Sequence, residues 1–125
     1  MKISHFVWTL LAGVLQAWSL AWPLDSGYGD AQGWLQCASL AAMAYLLDRA
    51  NTTRQAFTLG WLFALAWLGG ATWWLFISLH IYGGLAAPLA AITIFLFSAG
   101  LAIFYGATAA LYQWLCASKT SRAWR

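Results

Sequence analysis

A long stretch without any charged residue lies near the middle of this chain, from residue 56 to residue 79. A helix of ~20 apolar residues spans the ~30 Å hydrocarbon core of a bilayer, so this stretch is long enough to cross one. Its last part is rich in aromatic rings, and Gly83-Gly84 follows it. Aromatic side chains with polar tips favour the lipid–water boundary. The sequence therefore predicts a transmembrane helix over residues 56–79 with an aromatic end at a membrane surface.

The whole chain shares this apolar character, because 63% of its 125 residues are hydrophobic and only 7% are charged. Ordinary soluble domains carry about 25% charged residues. We therefore predict an all-α, polytopic membrane protein without a soluble domain. The net charge of +3 could suggest nucleic-acid binding, but the six basic residues are scattered along the chain. No nucleic-acid partner is expected, since such a partner is bound by clustered basic residues.

Apolar runs predict about four transmembrane helices, over residues 3–22, 31–47, 56–79 and 89–116. The first run could be a signal peptide, but it is longer than a usual signal core of about 7–15 residues, which favours a retained span. The second run is short for a span, and charge placement argues that it crosses. With four crossings, all six basic residues fall on one side, and Asp25 and Asp30 fall on the other. Because basic residues accumulate on the cytoplasmic side, we expect both termini in the cytoplasm.

Small residues recur at every fourth position of the first and fourth predicted helices. Such stripes let helix backbones approach closely in lipid, so we expect them to contact other helices. The bulky face of the fourth helix, at Ile94, Leu101 and Tyr105, suits acyl chains or a different helix. Gln16, inside the first span, is expected to bond a neighbouring helix. The predicted helix-packing residues are Gly13, Ala17, Ala21, Ser98, Ala102, Gly106 and Ala110.

Groups suited to catalysis are scarce in this sequence. The chain has no glutamate, and Cys37 and Cys116 have no neighbouring base in sequence to form a thiolate. The predicted topology separates the two cysteines by a membrane, which excludes a disulfide. We expect both to be buried packing residues. No catalytic residue, metal site or cofactor is predicted, since no Cys/His cluster shows metal-ligand spacing.

The aromatic end of the third predicted helix is the candidate site. His80 has no carboxylate near it in sequence to tune its imidazole, so an interfacial or lipid-headgroup contact is favoured over a direct chemical role. The same applies to the rings and the turn around it. The residues predicted to contact lipid at the interface are Trp73, Trp74, Ser78, His80, Tyr82, Gly83 and Gly84.

In their order along the chain, these features resemble the N-terminal membrane region of bacterial apolipoprotein N-acyltransferases. The resemblance covers about residues 9–114. Phe76 departs from the family pattern, which often has tyrosine there, and Ala64 stands where glycine is frequent. The segments that carry the resemblance are LAWPL at 20–24, GWLFALAWLGG at 60–70, WWLFISLHIYGGL at 73–85 and IFYGATAALY at 103–112.

The resemblance implies an eight-helix membrane domain with a periplasmic nitrilase-like domain in the bacterial inner membrane. In such enzymes a Glu-Lys-Cys triad transfers an acyl chain from a phospholipid, through a thioester, to the N-terminal cysteine of an apolipoprotein. Because this chain has no glutamate, it cannot hold the triad, and we expect it to be inactive alone. The implied partners are membrane phospholipid, the remaining helices with the nitrilase-like domain, and the apolipoprotein.

Three hypotheses for the function remain open at this point. The leading one is the N-terminal membrane part of such an acyltransferase, as a fragment or a split gene. The second is a stand-alone four-helix membrane scaffold or partner-binding protein. The third is a small homodimeric transporter, which is weaker because transport pathways usually carry ionisable residues in mid-membrane and the predicted spans have none.

Overall fold

The computed structural model describes residues 3–20 and 31–123, and helices make up nearly all of them. A π-helical turn, Ser78–Tyr82, continues α4, and no strand occurs in the described ranges. The all-α class predicted from the sequence is confirmed. The helices are α1 (Ile3–Leu20), α2 (Gly33–Asp48), α3 (Thr53–Ala71), α4 (Trp73–Ile77) and α5 (Ala87–Ala123).

Within the described residues, one helix is long and apolar enough by itself to cross a membrane. This helix is α5, whose candidate span Ala87–Cys116 has a mean hydropathy of 2.2. A second candidate arises when α3, α4 and the π-turn are taken together as one bent element. α1 and α2 are shorter, with 18 and 16 residues. The apolar length of α5 supports membrane association of the chain, and four crossings belong to the proposal below.

The third predicted helix is broken where the sequence indicated one continuous element over residues 56–79. α3 ends at Ala71, α4 begins at Trp73, and the axis turns by 53° between them. The backbone N–H and the hydroxyl of Thr72 both donate to the Leu68 carbonyl, at 2.9 and 2.7 Å. Gly69-Gly70 lies just before the break. Glycine pairs and hydroxyls that bond backbone carbonyls are known causes of helix kinks, and they explain this difference from the prediction.

Both ends of α2 and the start of α5 lie close to the predicted limits, and the end of α5 does not. α2 nearly matches residues 31–47, while α5 starts two residues before 89 and continues past 116 to Ala123. Pro88 lies in the first turn of α5, where backbone N–H groups have no intrahelical partner, so the missing N–H of proline costs no hydrogen bond. Residues 21–30 are outside the described ranges, and with them lie Ala21 and the predicted end of the first span.

α3 is the centre of the fold because it packs against α5 and α1, while α2 packs mainly against α1. The largest buried side chains of α3 are Leu59 and Phe63. They form one apolar cluster with residues of α1 and α2, including Ala12, Met43 and Leu46. This arrangement leaves much of α5 uncovered, so large apolar side chains such as Phe104, which is 71% exposed, face outward.

Glycines permit the closest approach between α3 and α5. A methyl group added to Gly60 would lie 2.8 Å from the Tyr105 carbonyl oxygen and 2.7 Å from the Ala109 Cβ. A methyl group on Gly106 would lie 3.0 Å from the Phe57 carbonyl oxygen. Real Cβ atoms do not come as near as the added atom at Gly60 would, and at Gly106 the Phe57 atoms would have to move by a few tenths of an ångström. Glycine at both positions therefore favours this helix distance.

α1 meets α3 through similar contacts. A Cβ on Gly13 would lie 2.5 Å from the Phe63 carbonyl oxygen, and a Cβ on Gly70 would lie 2.7 Å from the Ala17 Cβ. Gly13 and Ala17 are therefore placed in the α1–α3 contact. Close backbone approach of this kind is a main source of helix attraction in lipid.

The α5 face that packs on α3 differs in detail from the stripe predicted from the sequence. Ser98 and Ala102 are fully buried, and Gly106 is buried with them. Ala109 is 6% exposed, whereas Ala110 is half-buried. A series of i+4 steps drifts around a helix with 3.6 residues per turn, so an i+3 step to Ala109 brings the stripe back to α3.

Three individual expectations from the sequence are contradicted. Ile94, assigned to the bulky face opposite the small-residue stripe, is 7% exposed and lies on the same buried face as Ser98. Cys37, expected to be buried, is exposed because α2 packs through Leu35, Ser39, Met43 and Leu46 instead. The amide oxygen of Gln16, expected to bond another helix, is buried without a hydrogen-bond partner among the described residues.

Candidate functional site

Three aromatic rings form a continuous stack along α4 and the π-turn. The rings of Trp73 and Phe76 are nearly parallel, with centroids 5.0 Å apart and 6° between their planes. The Phe76 and His80 centroids are 5.5 Å apart at 37°. Positions i, i+3 and i+7 share one helix face, which explains why these rings meet. The result is an aromatic face that ends in an imidazole.

The His80 imidazole is fixed by the turn that follows it. Its Nδ1 lies 2.8 Å from the Leu85 carbonyl oxygen. Because a carbonyl oxygen only accepts hydrogen bonds, Nδ1 carries the hydrogen, and in the neutral ring Nε2 is then the acceptor. The side chain is exposed. The turn therefore sets both the position and the tautomer of a polar group at the end of the aromatic stack.

The turn that holds His80 depends on two glycines. The Gly83 N–H donates to the Ser78 carbonyl at 2.9 Å, five residues back, which is the spacing of a π-helix. Gly84 has a φ of 65°, and the next residue, Leu85, donates its N–H to the Leu79 carbonyl at 3.0 Å. A left-handed residue after a helix end favours glycine. Gly83-Gly84 thus ends the helix, as the sequence predicted, and also presents the Leu85 carbonyl to His80.

An apolar cleft lies beside this stack, at the bend between α3 and α4. Its volume is about 480 Å³, and it opens between the last turns of α1 and α3. Gly69 and Gly70 contribute no side chains and so leave space there, while Trp73 forms part of the lining. The cleft and the aromatic stack therefore share Trp73 and form one continuous surface. The remaining lining residues of α1 include Val14 and Trp18.

The other predicted lipid-contact residues occupy the same segment outside this stack. Trp74 is 62% exposed and Tyr82 is 85% exposed. Ser78 is half-buried, and Gly83 and Gly84 are exposed. The sequence prediction omitted Phe76, although the spacing of residues 73, 76 and 80 on one helix face could have identified it as the ring that joins Trp73 to His80.

Comparison with known protein families decides where this chain belongs. Residues 12–124 match the model of the apolipoprotein N-acyltransferase N-terminal domain. The chain belongs to this family. The matched range includes all of α2, α3, α4 and the π-turn, and therefore includes the aromatic stack and the bend. The family predicted from the sequence motifs is confirmed.

Individual relatives agree with this assignment. An apolipoprotein N-acyltransferase of Verminephrobacter eiseniae is 48% identical over 109 residues, which cover 84% of this chain and 20% of the relative. One from Bordetella bronchiseptica is 42% identical over 102 residues, covering 82% and 16%. One from Ralstonia nicotianae is 42% identical over 80 residues, covering 64% and 15%.

The chain spans at most about a fifth of the length of the curated relatives it matches. The matches fall in the N-terminal domain of the family. Of the three functional hypotheses, family membership therefore favours the N-terminal domain of an apolipoprotein N-acyltransferase. The activity, substrates and partners of the longer relatives enter only as part of the proposal that follows.

Proposed function

We propose that this chain forms the N-terminal membrane part of an enzyme that transfers an acyl chain from a membrane phospholipid to an apolipoprotein. In this proposal the chain anchors the enzyme in the bacterial inner membrane and supplies a surface for the phospholipid. The reacting groups belong to a nitrilase-like domain with a Glu-Lys-Cys triad. This chain contributes no glutamate to that triad, so its role is to bind and orient lipid.

The aromatic stack beside the apolar cleft is the observation that carries this proposal. A phospholipid has long hydrocarbon chains joined to a polar glycerophosphate. The cleft of about 480 Å³ is lined largely by apolar groups and suits a hydrocarbon chain. The stack leads from the cleft to His80, whose remaining ring nitrogen, Nε2, can accept a hydrogen bond from a hydroxyl or ammonium group of the headgroup. Aromatic rings with polar tips prefer this boundary between hydrocarbon and headgroup.

The proposed phospholipid contacts include both the stack and the exposed residues around it. Trp73, Phe76 and His80 would contact the lipid with their rings, and the Gly83-Gly84 turn would lie at the headgroup level. Trp74 and Tyr82 would anchor the segment at the interface, because both are largely exposed. Ser78, half-buried between them, would complete the surface.

The proposed topology has four membrane crossings with both termini in the cytoplasm. It rests on the segregation of all six basic residues to one side, and the apolar length of α5 supports it. Reporter fusions after Asp30 and after Gly84 are expected to report a periplasmic position, and a fusion after Arg54 a cytoplasmic one. A cytoplasmic signal at Asp30, or a periplasmic signal at Arg54, would contradict the topology.

Photocrosslinking tests the lipid surface directly. The purified chain is reconstituted with a phosphatidylglycerol that carries a diazirine in its acyl chain, and crosslinked peptides are mapped by mass spectrometry. We expect labelling enriched at the cleft and α4, residues 66–80, over the exposed face of α5. Trp73→Ala should reduce this enrichment severalfold. Trp34→Ala removes a tryptophan of similar exposure, 67%, and should leave it unchanged. Even labelling of every exposed apolar face would contradict the proposal.

A further inference from the structure

A second cavity lies at the opposite end of α1 from the cleft and the aromatic stack. Its volume is about 360 Å³, and it opens between the first turns of α1 and the last turns of α2. Unlike the cleft at the bend, it combines apolar walls with several polar and charged groups. The lining that matters here consists of Ser4, His5 and Trp8 on α1, Tyr45 and Leu46 on α2, and Arg49 directly after the end of α2.

Arg49 gives this cavity a positive charge that its neighbours hold in place. The guanidinium carbon lies 4.2 Å from the centroid of the Tyr45 ring, a cation–π contact that orients the side chain. The adjacent carboxylate, Asp48, accepts a hydrogen bond from the Tyr112 hydroxyl of α5 at 3.3 Å, and it does not line the cavity. Because Asp48 is directed to another helix, the guanidinium retains its hydrogen-bond donors for a ligand in the cavity.

His5 adds an imidazole to the lining of this cavity. Its Nδ1 is buried and has no hydrogen-bond partner among the described residues. Ser4, one residue earlier, adds a hydroxyl to the same lining.

The apolar walls favour a ligand that also has a hydrocarbon part. Trp8 lies about one turn closer to the middle of α1 than His5, and Leu46 about one turn closer to the middle of α2 than Arg49. A ligand that reached from the basic rim to these walls would be polar at one end and apolar at the other. Basic pockets between helices at the cytoplasmic side of a membrane bind anionic lipid headgroups in this way.

We propose that this cavity binds the phosphate of an anionic phospholipid in the cytoplasmic leaflet. Arg49 makes paired hydrogen bonds to the phosphate oxygens, as guanidinium groups do with phosphate, and Ser4 and His5 bond the same headgroup. Trp8 and Leu46 contact the first part of an acyl chain. This site goes beyond the proposed function, because it lies at the other end of the helices and its lipid is a bound ligand and not the acyl donor.

Native mass spectrometry of the full chain, released from detergent with added lipid, tests this site. The probes are phosphatidylglycerol, phosphatidylcholine and inorganic phosphate. We expect wild type to retain one phosphatidylglycerol in preference to phosphatidylcholine. Arg49→Gln should weaken that retention about tenfold or more, since a hydrogen-bonded charge pair is lost. Arg49→Lys keeps the charge and should retain part of the binding, and His5→Phe should weaken it severalfold.

Arg54→Gln is the matched control for this experiment. It removes one positive charge at the same end of the protein, but Arg54 lies in the first turn of α3 and does not line the cavity. We expect its lipid retention to equal that of wild type. Circular dichroism of each variant identifies a change in fold, and Arg49→Lys provides a conservative variant if Arg49→Gln is misfolded.

Several results would overturn the proposal. Equal lipid retention by wild type and Arg49→Gln would show that Arg49 does not bind the phosphate. Equal loss of retention in Arg49→Gln and Arg54→Gln would show that binding depends on net charge and not on this cavity. If inorganic phosphate bound with the same dependence on Arg49 and displaced the lipid, the ligand would be a soluble anion. None of these results bears on the acyl-chain surface, because the crosslinking test reads residues 66–80 at the opposite end.

Discussion

The α3–α5 crossing and the aromatic segment, residues 73–84, use the same residue types for different purposes. Both combine glycines with large apolar side chains. At the crossing, Gly60 and Gly106 face the backbone of the other helix, and an added Cβ would lie 2.8 and 3.0 Å from a carbonyl oxygen of that helix. In the segment, Gly84 has open space around it and serves a left-handed turn.

The aromatic rings of the two regions differ in how far they are exposed. Phe63, in the centre of α3, is 5% exposed, whereas Trp73 is 61% exposed. The buried crossing provides stability, whereas the exposed segment is the surface that we propose for lipid. The comparison also shows that a glycine or an aromatic residue in a membrane helix has no fixed meaning until its neighbours are known.

The largest expected effect is at the crossing. Gly106→Leu should lower the free energy of unfolding by about 1–3 kcal/mol or more, because the side chain would meet the Phe57 backbone and ring. Gly100→Leu, on the same helix with nothing within 4 Å of an added Cβ, should be neutral or slightly stabilising. Denaturant unfolding in detergent, followed by circular dichroism, measures both. Equal stability of the two variants would mean that the crossing is not close-packed.

Substitution of the two neighbouring glycines next to the bend should have a smaller effect on stability. Gly70→Ala places a methyl group 2.7 Å from the Ala17 Cβ, so α1 must shift, at a cost of about 1–2 kcal/mol. Gly69→Ala meets nothing within 4 Å and should be neutral or slightly stabilising. The same unfolding assay separates the two neighbours. A larger loss for Gly69→Ala would show that the cleft, and not the α1 contact, limits stability here.

Two buried serines allow a hydrogen-bonded hydroxyl to be compared with one that has no partner among the described residues. The Ser39 hydroxyl donates to the Ala12 carbonyl at 2.6 Å and joins α2 to α1. Ser39→Ala should cost about 0.5–1.5 kcal/mol, the usual size of such bonds between membrane helices. The Ser98 hydroxyl is equally buried but has no partner among the described residues, so Ser98→Ala should be neutral or stabilising. A clear loss of stability for Ser98→Ala would point to a partner for its hydroxyl.

The smallest effect on stability is expected in the aromatic segment. His80→Phe keeps a ring in the stack but loses the bond to the Leu85 carbonyl, and His80 is exposed. We expect a change of less than about 0.5–1 kcal/mol, together with reduced crosslinking of phospholipid at residues 78–85. Trp34→Phe is the control for an exposed aromatic exchange. A large loss of stability with unchanged crosslinking would reverse the assigned role of this segment.

The sequence predicted the helices well because their signals are local. Charge-free runs located α2 and the start of α5 within two residues, and Gly83-Gly84 correctly located the end of the third helix, since a left-handed turn favours glycine. The break at Thr72 was missed, because a threonine after two glycines is compatible with a continuous apolar helix until its hydroxyl is seen bonded to Leu68.

Tertiary contacts were less predictable, because they depend on how helices rotate about their axes. Ile94 was assigned to the face opposite the small-residue stripe and is buried on the same face as that stripe, and Cys37 was assigned inward and is exposed. In a nearly uniform apolar helix, periodicity does not mark the protein-facing side as it does in a soluble helix. The stack at residues 73, 76 and 80 lies within one helical segment, so its i, i+3, i+7 spacing could have been read from the sequence.

Exchange of this chain into a longer relative tests the central claim most directly. In the Verminephrobacter eiseniae acyltransferase, the 109 matched residues are replaced by the corresponding residues of this chain, and acyl transfer from phospholipid to an apolipoprotein is measured. We expect the exchanged enzyme to retain transfer, and the same exchange with Trp73→Ala to lose several-fold in activity without losing membrane insertion. An inserted, stable exchange without transfer, or full transfer with Trp73→Ala, would contradict the account.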